Sequence, residues 1–260
     1  MSNEHQILGP PGTGKTTYLA RQIERAAEKH GPENIVVASY TKAAASVLNR
    51  RNLPIPKENI GTLHALCYRG LKNYEIAEVN AATFNEQNEG DAISLSSNVI
   101  DEMAVDASYA TEGDRHLNTY NLYRAKCMSW KTMPTETINW VRKWERWKDI
   151  NQYIDFTDMI SITLAQDLPM AGDPVVGVYD ECQDFNQLEL RLVRHWAKYQ
   201  DHVVLSGDDD QTIYSFTGAS PEAFLDSNVS PDHMRVLNQS WRLPRKIHDY
   251  SQRWIKQIKN

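Results

Sequence analysis

Between Gly9 and Thr16 the chain reads Gly-Pro-Pro-Gly-Thr-Gly-Lys-Thr, a complete Gly-x-x-x-x-Gly-Lys-Thr pattern. Glycines at these positions let the backbone curl so that its N–H groups converge on a pyrophosphate. A helix starting at the loop adds positive partial charge. In such a loop Lys15 reaches the β- and γ-phosphates and the Thr16 hydroxyl ligates magnesium. The expected phosphate-binding set is Gly9, Pro10, Pro11, Gly12, Thr13, Gly14, Lys15, Thr16 and Thr17. The ligand this implies is a nucleoside triphosphate.

Two acidic segments could complete the chemistry. Asp180-Glu181 follows the apolar run Val175–Tyr179. In a parallel sheet, residues just past the strand ends line the ligand crevice. Asp180 there can hold magnesium, and Glu181 can deprotonate a water attacking the γ-phosphate. Leu205-Ser-Gly-Asp-Asp-Asp-Gln211 stands after a second apolar run. A neutral amide such as Gln211 can touch a γ-phosphate and register its loss without adding negative charge. Tyr214 and Phe216 follow, although aromatics in such places serve as core more often than as ligand platforms.

These groups need strands and helices to position them, and the sequence supplies an alternation of both. Gln6–Leu8, Ile35–Ser39, the start at Ile60, Val175–Tyr179 and Val203–Ser206 read as short buried strands. Thr17–Lys29, Lys42–Arg51, the segment ending near Leu71 and Asn186–Lys198 carry apolar residues at helical spacing. Such alternation predicts an α/β fold, a parallel sheet flanked by helices. Residues 72–150 break the rhythm and read as a helical insertion. There Trp140, Trp144 and Trp147 share one helical face, the pattern of a small core more often than of a base-stacking strip. Arg142, Lys143, Arg146 and Lys148 on neighbouring faces suit either a DNA backbone or solvated charge.

With 260 residues, 41% of them hydrophobic, the chain can bury a substantial core. No apolar run reaches membrane-spanning length, and the polar start lacks a secretory apolar segment. Cys67, Cys127 and Cys182 are unclustered, which suits a reducing cytoplasm and no zinc site. The eight histidines show no ligand spacing, and the net charge of −6 advertises no global attraction to nucleic acid.

Taken in order, the motifs resemble those of the UvrD/Rep-like superfamily 1 DNA helicases. Gly9–Thr17 is similar to that family's motif I, Ser39–Ala44 to motif Ia and Gly61–Cys67 to motif Ib. Asp155-Phe156-Thr157-Asp158-Met159 resembles the segment that re-enters the core after the family's inserted subdomain. Asp180-Glu181-Cys182-Gln183-Asp184 is similar to motif II, Gly207–Ala219 to motif III and Leu237–Arg242 to the start of motif IV. The resemblance implies a RecA-like P-loop NTPase domain from residues 1–71 and 151–240, with 72–150 inserted and 241–260 opening a second, truncated RecA-like domain.

The same resemblance implies ATP and Mg2+ as cofactors and single-stranded DNA as partner, with no membrane. Lys15, Glu181, Gln211 and Arg242 would act on the γ-phosphate, Arg242 as an arginine finger. Trp241 would stack on adenine, and Thr16 and Asp180 would hold the metal. Tyr40, Tyr214 and Phe216 would stack on bases, while Thr41, Thr62 and His64 would contact the DNA backbone. Gln6 stands too close to the loop to replace the family's adenine-reading glutamine. A second RecA-like domain is expected from the rest of a longer chain, and residues 1–260 alone are expected to be weakly active. The competing expectation is a nucleotide-dependent single-stranded DNA-binding or regulatory module that does not unwind; a small-molecule kinase fits motif III less well.

Overall fold

The computed structural model describes residues 3–71, 73–94, 111–208, 218–219, 224–225, 229–242 and 244–258. The chain divides into two compact units. One comprises Met1–Leu63, Gly172–Phe185 and Trp196–Asn260, the other His64–Ala171 and Asn186–His195.

The first unit is built on six strands: β1 (Glu4–Leu8), β2 (Ile35–Ser39), β3 (Ile60–Gly61), β6 (Val176–Asp180), β7 (His202–Gly207) and β8 (Met234–Val236). Their order is β3-β2-β6-β7-β1-β8, and every neighbouring pair is parallel. β2 and β6 are buried throughout, as continuous apolar runs covered on both faces must be. Helix α1 (Lys15–His30) packs through Leu19, Ala20, Ile23 and Ala27, and α2 (Lys42–Asn49) through Ala45 and Leu48, onto a core with Ile7, Ile35, Val37 and Val178. This is the parallel α/β arrangement expected from the alternating pattern, RecA-like as the resemblance implied. Gly31 ends α1, its N–H returning 3.1 Å to the Ala27 carbonyl at φ 89°, a left-handed turn that favours glycine.

The second unit contains α3 (Leu63–Gly70, begun in the first), α4 (Ala81–Gln87), α5 (Glu112–Ala125), α6 (Thr135–Asn151), α7 (Phe156–Ala165) and most of α8 (Gln187–Trp196). A two-stranded parallel sheet, β4 (Glu75–Ile76) with β5 (Tyr153–Ile154), joins them. The tryptophan face of α6 is core: Trp140, Trp144 and Trp147 are 1%, 0% and 4% exposed. All three rings meet Phe84 edge-on, with centroids 5.7, 5.0 and 5.5 Å away.

Lys148 is neither solvated nor available to a DNA backbone. It is 2% exposed and bonds Asp155 Oδ2 at 2.7 Å and Asp158 Oδ2, while Glu145 lies at 2.8 Å. Arg124 donates to both Asp155 oxygens, at 2.9 and 2.8 Å, and to Asp158. Asp155 also caps α7, exchanging bonds with Asp158 in a reciprocal capping box. Burial alone would raise the Asp155 pKa, but Arg124 and Lys148 hold it well below the usual carboxylate range. On the first unit's side, α9 (Arg245–Ile258) exposes Ile247, Tyr250 and Trp254.

Glu78 behaves oppositely. Its Oε1 accepts from the Phe156 N–H at 3.1 Å, and Oε2 has no partner among the described residues. Burial, and then the charge on Asp155, push its pKa from 4.5 up to about 8. A raised folded-state pKa stabilises fully below the unfolded value and is lost as pH rises through the folded one. Stability of this unit should therefore decline between about pH 5 and 8. Glu78→Gln, which keeps the acceptor, should flatten that slope in urea-unfolding midpoints taken across the range. An unchanged slope would remove Glu78 as its source.

Candidate nucleotide site

The loop after β1 is held by its own backbone and by neighbouring strand ends. Gly9 N–H donates to the Gly207 carbonyl at 3.3 Å, and the Thr13 hydroxyl to the Pro10 carbonyl at 2.9 Å. Gly12 and Gly14 take φ of 75° and 84°, which side chains with a Cβ resist. Gly14 is also the N-cap of α1 and offers no side chain to its first N–H groups, and no acid occupies the first turn. These amide protons are thus left for an external anion. Lys15 Nζ folds across the loop to the Gly9 carbonyl at 2.5 Å.

A cleft of about 680 Å³ opens at this point, lined by Pro11 to Tyr18, Arg21, Arg51, Glu181, Leu237, Trp241 and Arg242. Four cationic side chains against one carboxylate give it the sign a polyphosphate needs. Space and charge both fit such a ligand, since a Cβ added to Gly14 would meet nothing within 4 Å.

The far wall comes from residues more than 220 positions away. β8 pairs with β1, the Leu237 N–H reaches the Leu8 carbonyl at 2.7 Å, and the chain then crosses the loop. Ser240 Oγ donates to the Pro11 carbonyl at 2.9 Å, and the Trp241 N–H to the Gly12 carbonyl at 2.8 Å. The Trp241 indole remains 76% exposed, a flat surface offered beside the loop.

Asp180 closes β6 and is 4% exposed; it does not line the cleft directly, nor do Gly9 and Pro10. Burial and then the neighbouring Glu181 raise its pKa to about 6, with Ser206 and Lys15 offsetting part of this. A divalent cation held by Asp180 and the Thr16 hydroxyl would neutralise that buried charge and the phosphates together. Glu181 stands in left-handed backbone, φ 57°, and accepts from Gln183 Nε2 at 2.9 Å. Gln183 Oε1 in turn accepts from the Asp208 N–H at 3.0 Å. Gln183 thereby ties the end of β7 to Glu181, a positioning role invisible in its sequence neighbourhood.

Of the other expected residues, Gln211, Tyr214 and Phe216 lie outside the described residues. Tyr40 is half-buried with its ring 6.3 Å from that of Phe185. Thr41 caps α2, its hydroxyl accepting from the Ala44 N–H at 3.1 Å. Thr62 is half-buried before α3. His64, half-exposed by surface and edge-on to Phe156, has its pKa lowered by desolvation to about 4, so it is a neutral imidazole at pH 7. None of these four lines the cleft. Gln6 is buried, its amide on the Phe224 carbonyl at 3.2 Å. Sequence reasoning missed Arg21, Arg51 and Tyr18, which the cleft gathers.

A model of the UvrD/REP helicase N-terminal domain matches residues 1–231. The chain belongs to this family. Relatives of this helicase N-terminal domain include a probable DNA helicase II homolog of Mycoplasma genitalium. It is 26% identical over 274 residues, spanning 93% of this chain and 39% of the relative. The ATP-dependent DNA helicase PcrA of Leuconostoc citreum is 23% identical over 272 residues, 94% of this chain and 36% of that protein. The ATP-dependent DNA helicase UvrD2 of Mycobacterium tuberculosis is 49% identical over 80 residues, 30% of this chain and 11% of its own length. The chain thus spans less than half the length of these helicases. Among the described residues no helix is long and apolar enough to cross a membrane.

The contact between loop and far wall gives a direct test. A Cβ on Gly12 would collide with Cβ of Arg242 and stand 3.0 Å from its nitrogen, at a φ that is itself strained. Gly12→Ala should weaken nucleotide binding by about tenfold or more. Gly90→Ala, where a Cβ meets nothing within 4 Å, should leave affinity unchanged. Calorimetry on both variants checks this; equal affinities would separate the loop from the Trp241–Arg242 segment.

Proposed function

We propose that the chain is the ATP-hydrolysing and single-stranded DNA-gripping portion of a superfamily 1 helicase, working in the cytoplasm. The observation that carries the reading is the seating of Trp241 and Arg242 against the phosphate loop, with the Trp241 N–H on the Gly12 carbonyl at 2.8 Å. That arrangement supplies a platform for a base and a second cation for a γ-phosphate in one cleft.

In this reading ATP enters with its phosphates on the α1 N-terminus, Lys15 cradling the β/γ charge and adenine stacked on Trp241. Thr16 and Asp180 would hold Mg2+, whose charge would offset that of the phosphates. Glu181, oriented by Gln183, takes the proton of the attacking water, and Arg242 stabilises charge developing on the γ-phosphate. Gln211 senses the γ-phosphate. Tyr40, Tyr214 and Phe216 stack on bases, and Thr41, Thr62 and a neutral His64 hydrogen-bond the DNA backbone. Residues 72–150 form the inserted subdomain, and 241–260 begin a second RecA-like domain. Unwinding belongs to the whole protein in this proposal; the 260 residues alone hydrolyse ATP slowly, because a second RecA-like domain would complete the cleft.

The test compares ATP binding with turnover, with and without a single-stranded oligonucleotide. Lys15→Ala should abolish ATP binding. Glu181→Gln should bind normally while turnover falls by about 10²–10⁴. Tyr214→Ala or Phe216→Ala should weaken oligonucleotide binding by about 1–3 kcal/mol with little sequence preference, at unchanged melting temperature. Near-normal turnover by Glu181→Gln would remove it from the mechanism. Turnover indifferent to DNA in a longer form of the protein would contradict the helicase reading.

A further inference from the structure

A second concavity, of about 410 Å³, runs along α1 over β1, β6, β7 and β8 and shares Tyr18 with the nucleotide cleft. Its floor is apolar, from Ile7, Val176, Val178 and Val204. Its walls are not. Four of the eight histidines face it: His5 on β1, His30 at the end of α1, His202 opening β7 and His233 in the turn before β8. All four are half-buried. The His5 and His233 rings stack with centroids 4.2 Å apart and 26° between planes, while His30 and His202 meet edge-on at 5.3 Å.

His233 Nδ1 lies 3.3 Å from the Glu4 carbonyl oxygen, which can only accept, so Nδ1 is the donor in this contact. At the rim stand Arg25 and Lys29 from α1 and Arg235 from β8, the last over the Tyr18 ring at 4.6 Å. Asp232 is the single carboxylate among the described lining residues. The Glu4 carboxylate, which lines neither wall nor floor, accepts from the Gln6 amide at 3.4 Å.

We propose that this groove binds a compact multivalent oxyanion of the phosphate or pyrophosphate class, gripped by the histidines with Arg25 and Lys29, and that binding takes up protons. Without an anion, a positive charge on His233 or His202 opposes protonation of His5. His5 is accordingly held below 6.5, first by burial and then by His233 and His202. A bound dianion outweighs that repulsion, because it favours the charged form of every imidazole it touches. Affinity therefore rises as pH falls. Among the described lining residues, Asp232 alone competes for the cations at the rim. The compact dimensions suit a single phosphate group or a pyrophosphate better than a continuous polymer backbone. The shared wall at Tyr18 lies at the far end from His30, so the two sites are separately addressable.

The test uses the 260-residue chain carrying Lys15→Ala, which removes anion binding at the phosphate loop, and follows histidine ring resonances by NMR. Sulfate is the probe because it stays dianionic between pH 6 and 8, so any pH dependence belongs to the protein. Sulfate should shift the His5, His202 and His233 signals with one shared Kd, about tenfold tighter at pH 6 than at pH 8. His202→Gln should remove the response. Arg25→Gln, at an exposed position, should weaken binding several-fold without disturbing the fold. Pyrophosphate and oligothymidylate arms then separate a free anion from a strand phosphate as the source. Histidines that titrate without responding to sulfate, or a Kd equal at the two pH values, would overturn the proposal. So would a response unchanged in both variants.

Discussion

Strand β1 is hydrogen-bonded on both sides, to β7 and to β8, in parallel. That one pairing fixes the first unit's chemistry. Because all three strands run the same way, the chain leaves each of them at the same edge. There it becomes the phosphate loop after Leu8, Asp208 after Gly207, and the Leu237–Arg242 crossing after Val236. An antiparallel β8 would deliver Trp241 and Arg242 to the opposite edge and leave the loop without its far wall. The pairing of β2 with β6 sets Ser39 beside Asp180, so the Ser39–Ala44 segment begins where the acidic pair begins. The polar ends gather on one edge and the histidines of β1 and β7 on the other, a consequence of strand direction alone.

The second unit solves a different problem. A helix carrying three tryptophans on one face gains a large apolar area, yet its last turn also buries an ammonium. Lys148 is tolerable there because Asp155 and Asp158 meet it, with Arg124 balancing the second negative charge. Removing one member of such a buried set leaves an uncompensated charge, which typically costs about 3–5 kcal/mol. Asp155 does double duty as the α7 cap, so the charge network and the start of that helix form together. Glu78, beside Asp155 with no cation within hydrogen-bonding distance among the described residues, is the member of this neighbourhood that gives way by holding its proton.

Much of this was legible because it is local. The phosphate loop announces itself by glycine spacing, and strand and helix periods on either side bracket it to within a few residues: helical spacing over Thr17–Lys29 marks the helix Lys15–His30. The tryptophan face followed from helical spacing. What the sequence concealed is non-local. Nothing near Arg21 or Arg51 signals a cleft, and nothing near Gln183 signals that its amide spans from Glu181 to Asp208. Lys148 looks like its solvated neighbours until Asp155 and Asp158 are placed beside it. The four histidines have no ligand spacing because they come from separate elements, brought together by topology. Gln211, Tyr214 and Phe216, read from motif order, fall outside the described residues.

The central claim is that one cleft holds phosphates on the loop and a base on Trp241 at once. Tryptophan fluorescence of the 260-residue chain, titrated with ATP and separately with tripolyphosphate, tests it most directly. The account predicts quenching by ATP that tripolyphosphate does not reproduce and that disappears in Trp241→Leu, while tripolyphosphate still binds and competes. Equal responses to the two ligands, or quenching that survives in Trp241→Leu, would contradict it.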